Sequence, residues 1–150
     1  MLVVDSSVFV DFLFEKNEAK NRMAKELLES IEDLLIFVPR IFLLELVSVE
    51  GRLNISLSKK DVEELTADFE VLSEDFLFDE AFKVVQETHS RAVDSYFISA
   101  AKLTSSALVS CDKRMIENAK KFGVKAYYLP EELDKIIKII KEVKDRQVKT

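Results

Sequence analysis

Four acidic residues stand in surroundings where charge is expensive. Asp5 closes the apolar run Leu2-Val3-Val4, and Glu45 lies inside Ile41-Phe42-Leu43-Leu44-Glu45-Leu46-Val47. Asp94 sits in Ala92-Val93-Asp94-Ser95-Tyr96-Phe97-Ile98-Ser99-Ala100-Ala101, and Asp112 follows Leu108-Val109-Ser110-Cys111. Carboxylates gathered in a partly dry cleft repel one another, so either their pKa values rise or hard cations neutralise them. An all-oxygen donor set selects Mg²⁺ or Mn²⁺. Zinc is a poor fit, because His89 and Cys111 are the one histidine and one cysteine and are far apart in the chain.

Each acid also has an ordinary reading. Asp5 and Asp112 could cap the helices that begin just after them, and Asp94 could be the N-cap of its own helix. Glu45 has Ile41, Phe42, Ser48 and Val49 at helical spacing, none of them a cation, so it is costly unless paired, protonated or metal-bound. Its ordinary alternative is a narrow solvent-facing strip. His89 reads as a surface or structural histidine, and Cys111 as a small buried hydrophobe near a strand end.

Short apolar runs alternate with helical patterns. Strands are predicted at 2–4, 35–38, 69–72, 107–110 and 125–129, the third being the least clear. Helices are predicted from Ser7 to Phe14, Glu18 to Leu34, Pro39 through Leu53, Ser58 to about Phe69, Asp79 to Ser90, Val93 to Thr104 and Lys113 to Phe122. A final helix starts at Pro130. Pro39 is read as a first-turn proline opening a largely buried helix, Ser58 with Asp61 as a capping box, and Gly123 as a helix stop. Parallel strands need crossover connections, so the pattern implies an α/β fold with a parallel sheet of about five strands covered on both faces. Ligands on such sheets collect beyond the strand C-termini, where Asp5 and Asp112 fall.

At 150 residues and 48% hydrophobic content the chain reads as one domain spanning 1–150. Two glycines and two prolines leave no flexible linker. A lone cysteine, no basic leader and no apolar run near the roughly 20 residues of a bilayer span point to a cytoplasmic protein without a membrane segment. The net charge of −6 argues against a module that binds nucleic acid mainly by covering phosphates. Charge is uneven, however: Met1 to Asp112 carries 11 basic against 22 acidic residues, whereas Lys113 to Thr150 carries 11 against 6. That basic quarter could meet an anion, or Lys135, Lys138, Lys141 and Lys144 could be the wet face of an amphipathic helix.

Taken in order, Val3-Val4-Asp5-Ser6-Ser7-Val8-Phe9-Val10-Asp11, Val38-Pro39 leading to Leu44-Glu45-Leu46, the Asp94 segment and Leu108-Val109-Ser110-Cys111-Asp112 resemble the PIN-domain ribonucleases, especially the VapC-type toxins of prokaryotic toxin–antitoxin pairs. The resemblance covers nearly the whole chain. It implies a three-layer α/β/α sandwich and an acidic quartet, Asp5, Glu45, Asp94 and Asp112, that binds Mg²⁺ or Mn²⁺ and hydrolyses RNA. Ser6 and Ser110 match small hydroxyl positions beside the site, and Asp11 matches a frequent family acid read here as structural. The family often has Thr where Ser6 and Ser110 stand, and an aromatic shortly after the last aspartate. Here Lys113-Arg114-Met115 follows, and Lys113 and Arg114 are candidates to hold a substrate phosphate.

By this resemblance Asp5, Asp94 and Asp112 hold the metal while Glu45 orients a second ion or the attacking water. The implied partners are an RNA substrate, a second copy in a homodimer, and a small antitoxin lying over the acidic groove. Phe9, Phe12, Leu13, Phe14 and Phe42 are candidate interface residues, with core as the alternative for each. Two other functions stay open: a non-catalytic PIN-like binding module, and an RNA-processing nuclease without an antitoxin. A receiver-like or phosphatase-like domain fits less well, lacking paired aspartates after the first strand.

Overall fold

In the computed structural model, which describes residues 1–53 and 56–149, five strands form one sheet in the order β3-β2-β1-β4-β5, every pairing parallel. The strands are β1 (Leu2–Val4), β2 (Ile36–Pro39), β3 (Phe69–Leu72), β4 (Ala107–Ser110) and β5 (Ala126–Tyr128). Central β1 is buried along its whole length, as its unbroken apolar sequence requires when helices cover both faces. The helices are α1 (Ser6–Phe14), α2 (Glu18–Ser30), α3 (Ile41–Leu53), α4 (Lys59–Leu65), α5 (Glu74–Thr88), α6 (Ala92–Leu103), α7 (Lys113–Lys121) and α8 (Leu129–Val148). The arrangement is the expected α/β/α sandwich.

Strand order reverses at β1. From there the chain builds outward through β2 and β3, then returns to lay β4 on the other side of β1. The helix N-termini that follow β1 and β4 diverge at this switch point and leave a crevice between them. Asp5 and Asp112 are the first residues beyond Val4 and beyond the Ser110-Cys111 end of β4, so the topology brings two of the four acids together.

The core is closed by Phe9 of α1, Phe42 of α3 and Phe69 of β3, whose rings meet edge to face with centroids 5.1 to 6.4 Å apart. Phe9 and Phe42 are therefore core and not interface, while Phe12, Leu13 and Phe14 are half-buried. The exposed aromatics are instead Phe76, Phe78 and Phe82 on α5.

Three element expectations are corrected. Pro39 does not open a helix. It ends β2, paired with Leu72, beyond the two β2 positions that pair with β1, so its missing N–H removes no bond from the central ladder. Helix α5 starts at Glu74 and not at Asp79, because Ser73 caps it by accepting from the Phe76 N–H at 3.3 Å, with Glu74 and Asp75 in the first turn. Helix α3 is not largely buried, since Leu44 is 70% and Val47 43% exposed. The capping box is present as expected: Ser58 Oγ accepts from the Asp61 N–H, and the Asp61 carboxylate accepts from the Ser58 N–H. Among the described residues no helix is long and apolar enough to cross a membrane.

Candidate active site

A cleft of about 240 Å³ opens at the switch point, and Asp5, Glu45, Asp94 and Asp112 all line it. They arrive from four directions: the end of β1, the middle of α3, the first turn of α6 and the loop after β4. Ser6, Ser7, Asp11 and Arg91 line it too.

Asp5 is buried, 3% exposed. It stands at the N-cap position of α1, yet hydroxyls take up its carboxylate where a capping bond was the ordinary expectation. Ser7 Oγ donates to Oδ2 at 2.7 Å and Ser110 Oγ to the same oxygen at 2.8 Å. Those two hydroxyls are themselves tied to the backbone beyond β4: Ser7 Oγ accepts from the Cys111 N–H at 2.9 Å, and Ser110 Oγ from the Asp112 N–H at 2.8 Å. The Ser6 hydroxyl lies 3.4 Å from Asp5 Oδ1 and donates more closely, at 2.9 Å, to Glu45 Oε1. Burial still prevails over the hydroxyl donors and, with the nearby Asp112 charge, holds the Asp5 carboxyl above the usual range.

Glu45 is half-buried on the inner side of α3. Burial and the neighbouring Asp5 lift its carboxyl from 4.5 to about 7, the Ser6 hydroxyl opposing. The narrow solvent-facing strip of α3 belongs to Leu44 and Val47, and Glu45 faces the cleft.

Asp94 is 3% exposed and is not a cap, because Arg91 occupies the N-cap position of α6. Arg91 Nε donates to Asp94 Oδ2 at 3.3 Å and Nη2 to Oδ1 at 3.4 Å. Burial nonetheless keeps the Asp94 carboxyl above its ordinary value, against the pull of Arg91.

Asp112 does cap a helix. Its Oδ1 accepts from the N–H groups of Arg114 at 3.0 Å and Met115 at 3.2 Å, opening α7. The other oxygen, Oδ2, accepts from Arg91 Nη2 at 3.2 Å. One guanidinium thus spans two acids that lie 18 residues apart in sequence.

Two lining residues were not expected as parts of the site. Ser7 joins the two sides of the switch point, and its only sequence signal is the Ser6-Ser7 pair after a buried strand. Arg91 lies three residues before Asp94, a spacing that puts the two on one helix face, but its reach to Asp112 has no local signal. Asp11, read as structural, also lines the cleft; burial raises its carboxyl despite a hydrogen bond to the Cys111 thiol. Cys111 is half-buried, its thiol pushed far up by burial. His89, the exposed C-cap of α5 in the left-handed region at φ 56°, lies outside the cleft lining. Lys113 and Arg114 are exposed at the start of α7 and do not line the cleft either.

Among the described residues no three acids, histidines or cysteines stand close enough to hold an ion as they are. In chemistry the donors still fit a hard divalent cation: carboxylate oxygens in one cleft, three of them with raised pKa from burial and mutual repulsion. Arg91 supplies the one positive side chain among the described residues lining the cleft.

Comparison with known proteins accords with this geometry. The chain is similar in structure to PAE2754 from Pyrobaculum aerophilum, at 18% identity with a TM-score of 0.60, over 90% of this chain and 95% of the other. It is also similar to FitAcB from Neisseria gonorrhoeae, at 17% identity and a TM-score of 0.57, over 85% and 96%. A third similar structure is FitAB bound to an IR36 DNA fragment, at 16% identity and a TM-score of 0.60, over 85% and 94%. At these identities the likeness is one of fold. No curated protein matches the sequence. The family model for the PIN domain matches residues 2–121, which takes in all four cleft acids and four-fifths of the chain, and the chain therefore belongs to the PIN domain family.

Proposed function

We propose that this protein is a metal-dependent endoribonuclease that hydrolyses RNA phosphodiesters. The observation that carries the reading is the convergence of Asp5, Glu45, Asp94 and Asp112 on one cleft at the switch point of a PIN-domain sheet. PIN domains are in general nucleases, and four poorly neutralised carboxylates suit phosphodiester chemistry only if cations offset their charge against an anionic substrate.

Asp5, Asp94 and Asp112 would hold Mg²⁺ or Mn²⁺. Such an ion, when bound, supplies a water of lowered pKa and offsets charge on the phosphoryl oxygens. The chain's own groups do the rest. Ser7 and Ser110 fix Asp5 by bonding one of its oxygens, and Oδ1 is left with only the long contact to Ser6. Ser6 fixes Glu45 through Oε1, so Oε2 is the atom available to take a proton. In the ion-free chain burial and the Asp5 charge lift that carboxyl to about 7, and a cation held by the neighbouring acids would draw it down again, keeping Glu45 ionised to orient the attacking water or a second ion. Lys113 and Arg114, exposed at the start of α7 just after Asp112, are the candidates for a neighbouring phosphate.

The resemblance to VapC-type toxins supports a role as the toxin of a toxin–antitoxin pair, working in the cytoplasm as a homodimer under a small antitoxin. A basic antitoxin segment would suit the acidic cleft. One observation favours a second reading, a non-catalytic PIN-like module: Arg91 already pairs with Asp94 and Asp112, and among the described residues no three of the acids stand close enough to share an ion.

Titration of Mg²⁺ and Mn²⁺ into wild type and Asp94→Asn by calorimetry, alongside cleavage of a mixed structured RNA pool, decides between the two. Binding and cleavage in wild type and loss of both in the variant is the expected result. Wild type that neither binds metal nor cleaves RNA would leave the non-catalytic module.

A further inference from the structure

Arg91 is an unusual residue for a helix N-cap, and local structure explains its place only by the i,i+3 pairing with Asp94. The N-cap position favours Ser, Thr, Asp or Asn, whose short side chains satisfy the first N–H groups of a helix, and Arg91 makes no such bond. Its side chain is 69% exposed, yet its tip is held by three charge-assisted contacts inside the cleft.

The oxygens it takes are the ones an ion would need. Both Asp94 oxygens face Arg91, and on Asp112 the oxygen Oδ1 is committed to the N–H groups that open α7, leaving only Oδ2, which Arg91 also holds. A divalent cation shared by Asp94 and Asp112 would therefore crowd against the guanidinium, since the two cations compete for the same oxygens and repel each other. Arg91 cannot yield by losing its proton at ordinary pH, so it can yield only by moving. Its side chain is 69% exposed, so the arm has solvent to swing into.

We propose that Arg91 is an internal competitor for the metal. It neutralises Asp94 and Asp112 while the site is empty of ions, and it must swing outward before those two acids can share one. The proposal rests on the reading of the quartet as a metal site. It also accounts for the lack, among the described residues, of three donors close enough to share an ion: the guanidinium spans the gap that an ion would otherwise close.

The test is titration of Mn²⁺ into the EDTA-stripped full chain by calorimetry, comparing wild type, Arg91→Ser and Arg91→Lys. Serine removes the competing charge and supplies an ordinary N-cap, so the helix is not weakened. Arg91→Ser should bind Mn²⁺ roughly three- to tenfold more tightly, the range expected when a mostly exposed ion pair no longer has to be broken. Arg91→Lys should fall between the two, because it keeps the charge without the fork that spans both acids. A merely structural Arg91 would give the opposite sign, with weaker binding and a lower melting temperature.

Equal or weaker binding by Arg91→Ser overturns the competitor and leaves the metal site standing. Absence of Mn²⁺ binding in both proteins overturns the metal site and the competitor together. A measurement on wild type alone guards against a variant that does not fold. On titration with Mg²⁺, the Arg91 Nε–H resonance should move toward that of a solvated side chain, and a resonance unmoved at saturation overturns the proposal.

Discussion

The cleft has a dry side and a wet side, named for the groups that hold the acids, since Asp94 on the wet side is itself as buried as Asp5 on the dry side. On the dry side Asp5 and Glu45 are held by Ser6, Ser7 and Ser110, neutral donors on α1 and at the end of β4. On the wet side Asp94 and Asp112 are held by Arg91, a charged arm mostly in solvent. Neutral hydroxyls bonded to backbone as well as to the acid cannot leave without opening the fold. Arg91 reaches these acids from solvent, its own side chain 69% exposed although Asp94 is buried, so another cation can take its place without opening the fold. The dry side thus fixes positions, and the wet side is the one on which charge can change.

The dry side also rests on an aromatic floor that the wet side lacks. Phe42 of α3 meets Phe9 of α1, and the same two helices carry the Ser6–Glu45 hydrogen bond. Phe42→Ala should therefore have the largest effect on stability, a loss of about 3 to 5 kcal/mol, as for other large-to-small changes at fully buried aromatics. Denaturant unfolding followed by circular dichroism measures it. A loss below about 1 kcal/mol would mean that α1 and α3 are held by something other than this floor.

Ser110→Ala tests the hydroxyl clamp itself. It removes a donor from buried Asp5 and the acceptor of the Asp112 N–H, so a loss of about 1 to 3 kcal/mol is expected. The same unfolding experiment should show Arg91→Ala costing less than about 1 kcal/mol, because that arm is largely exposed. Equal costs for the two would erase the distinction between the sides.

How much of this was legible in the sequence follows the same division. The strands were readable because buried parallel strands are written as short unbroken apolar runs, and Asp5 and Asp112 were conspicuous as charges ending two of them. Glu45 and Asp94 were conspicuous inside helices for the same reason. Pro39 misled because a proline after a strand can equally open a helix, and only the sheet's stagger showed that its N–H was not needed. The first turn of α5 was missed because Phe76 and Phe78 face solvent and break the apolar period, although Ser73 with Glu74 and Asp75 is a capping signal. Phe9 and Phe42 could not be sorted between core and surface until Phe69 was seen to complete their cluster. Arg91 was out of reach because its meaning depends on Asp112, and the α6 and α7 N-termini become neighbours only when β4 inserts beside β1.

Glu45 gives the comparison its dependence on pH. Its carboxyl is raised in the folded chain to about 7 from 4.5, so folding takes up a proton between those values. The stability it contributes is present in full below about 4.5 and is lost as pH rises through about 7. Glu45→Gln removes that loss. In EDTA the variant should unfold close to wild type at pH 5 and be more stable at pH 8 by about 1 to 2 kcal/mol, a figure reduced because the group is only half-buried. Melting curves at the two pH values check it, and a variant less stable than wild type at pH 8 would mean that the ionised carboxylate is well paired.

The smallest effect expected is at the outer edge of the wet side. Lys113 and Arg114 are exposed, do not line the cleft and touch the site only through the Arg114 backbone N–H. Replacing both with Gln keeps that N–H and the cap on α7, so Mn²⁺ affinity and melting temperature should be unchanged. If the two side chains meet substrate phosphates, KM for RNA should rise a few-fold with kcat preserved, and the salt dependence of binding should become shallower by about one or two counterions. An unchanged KM and salt slope would confine substrate contact to the cleft itself. Arg91, once moved aside, would then be the only arginine or lysine among the described residues of the cleft lining available to an incoming phosphate.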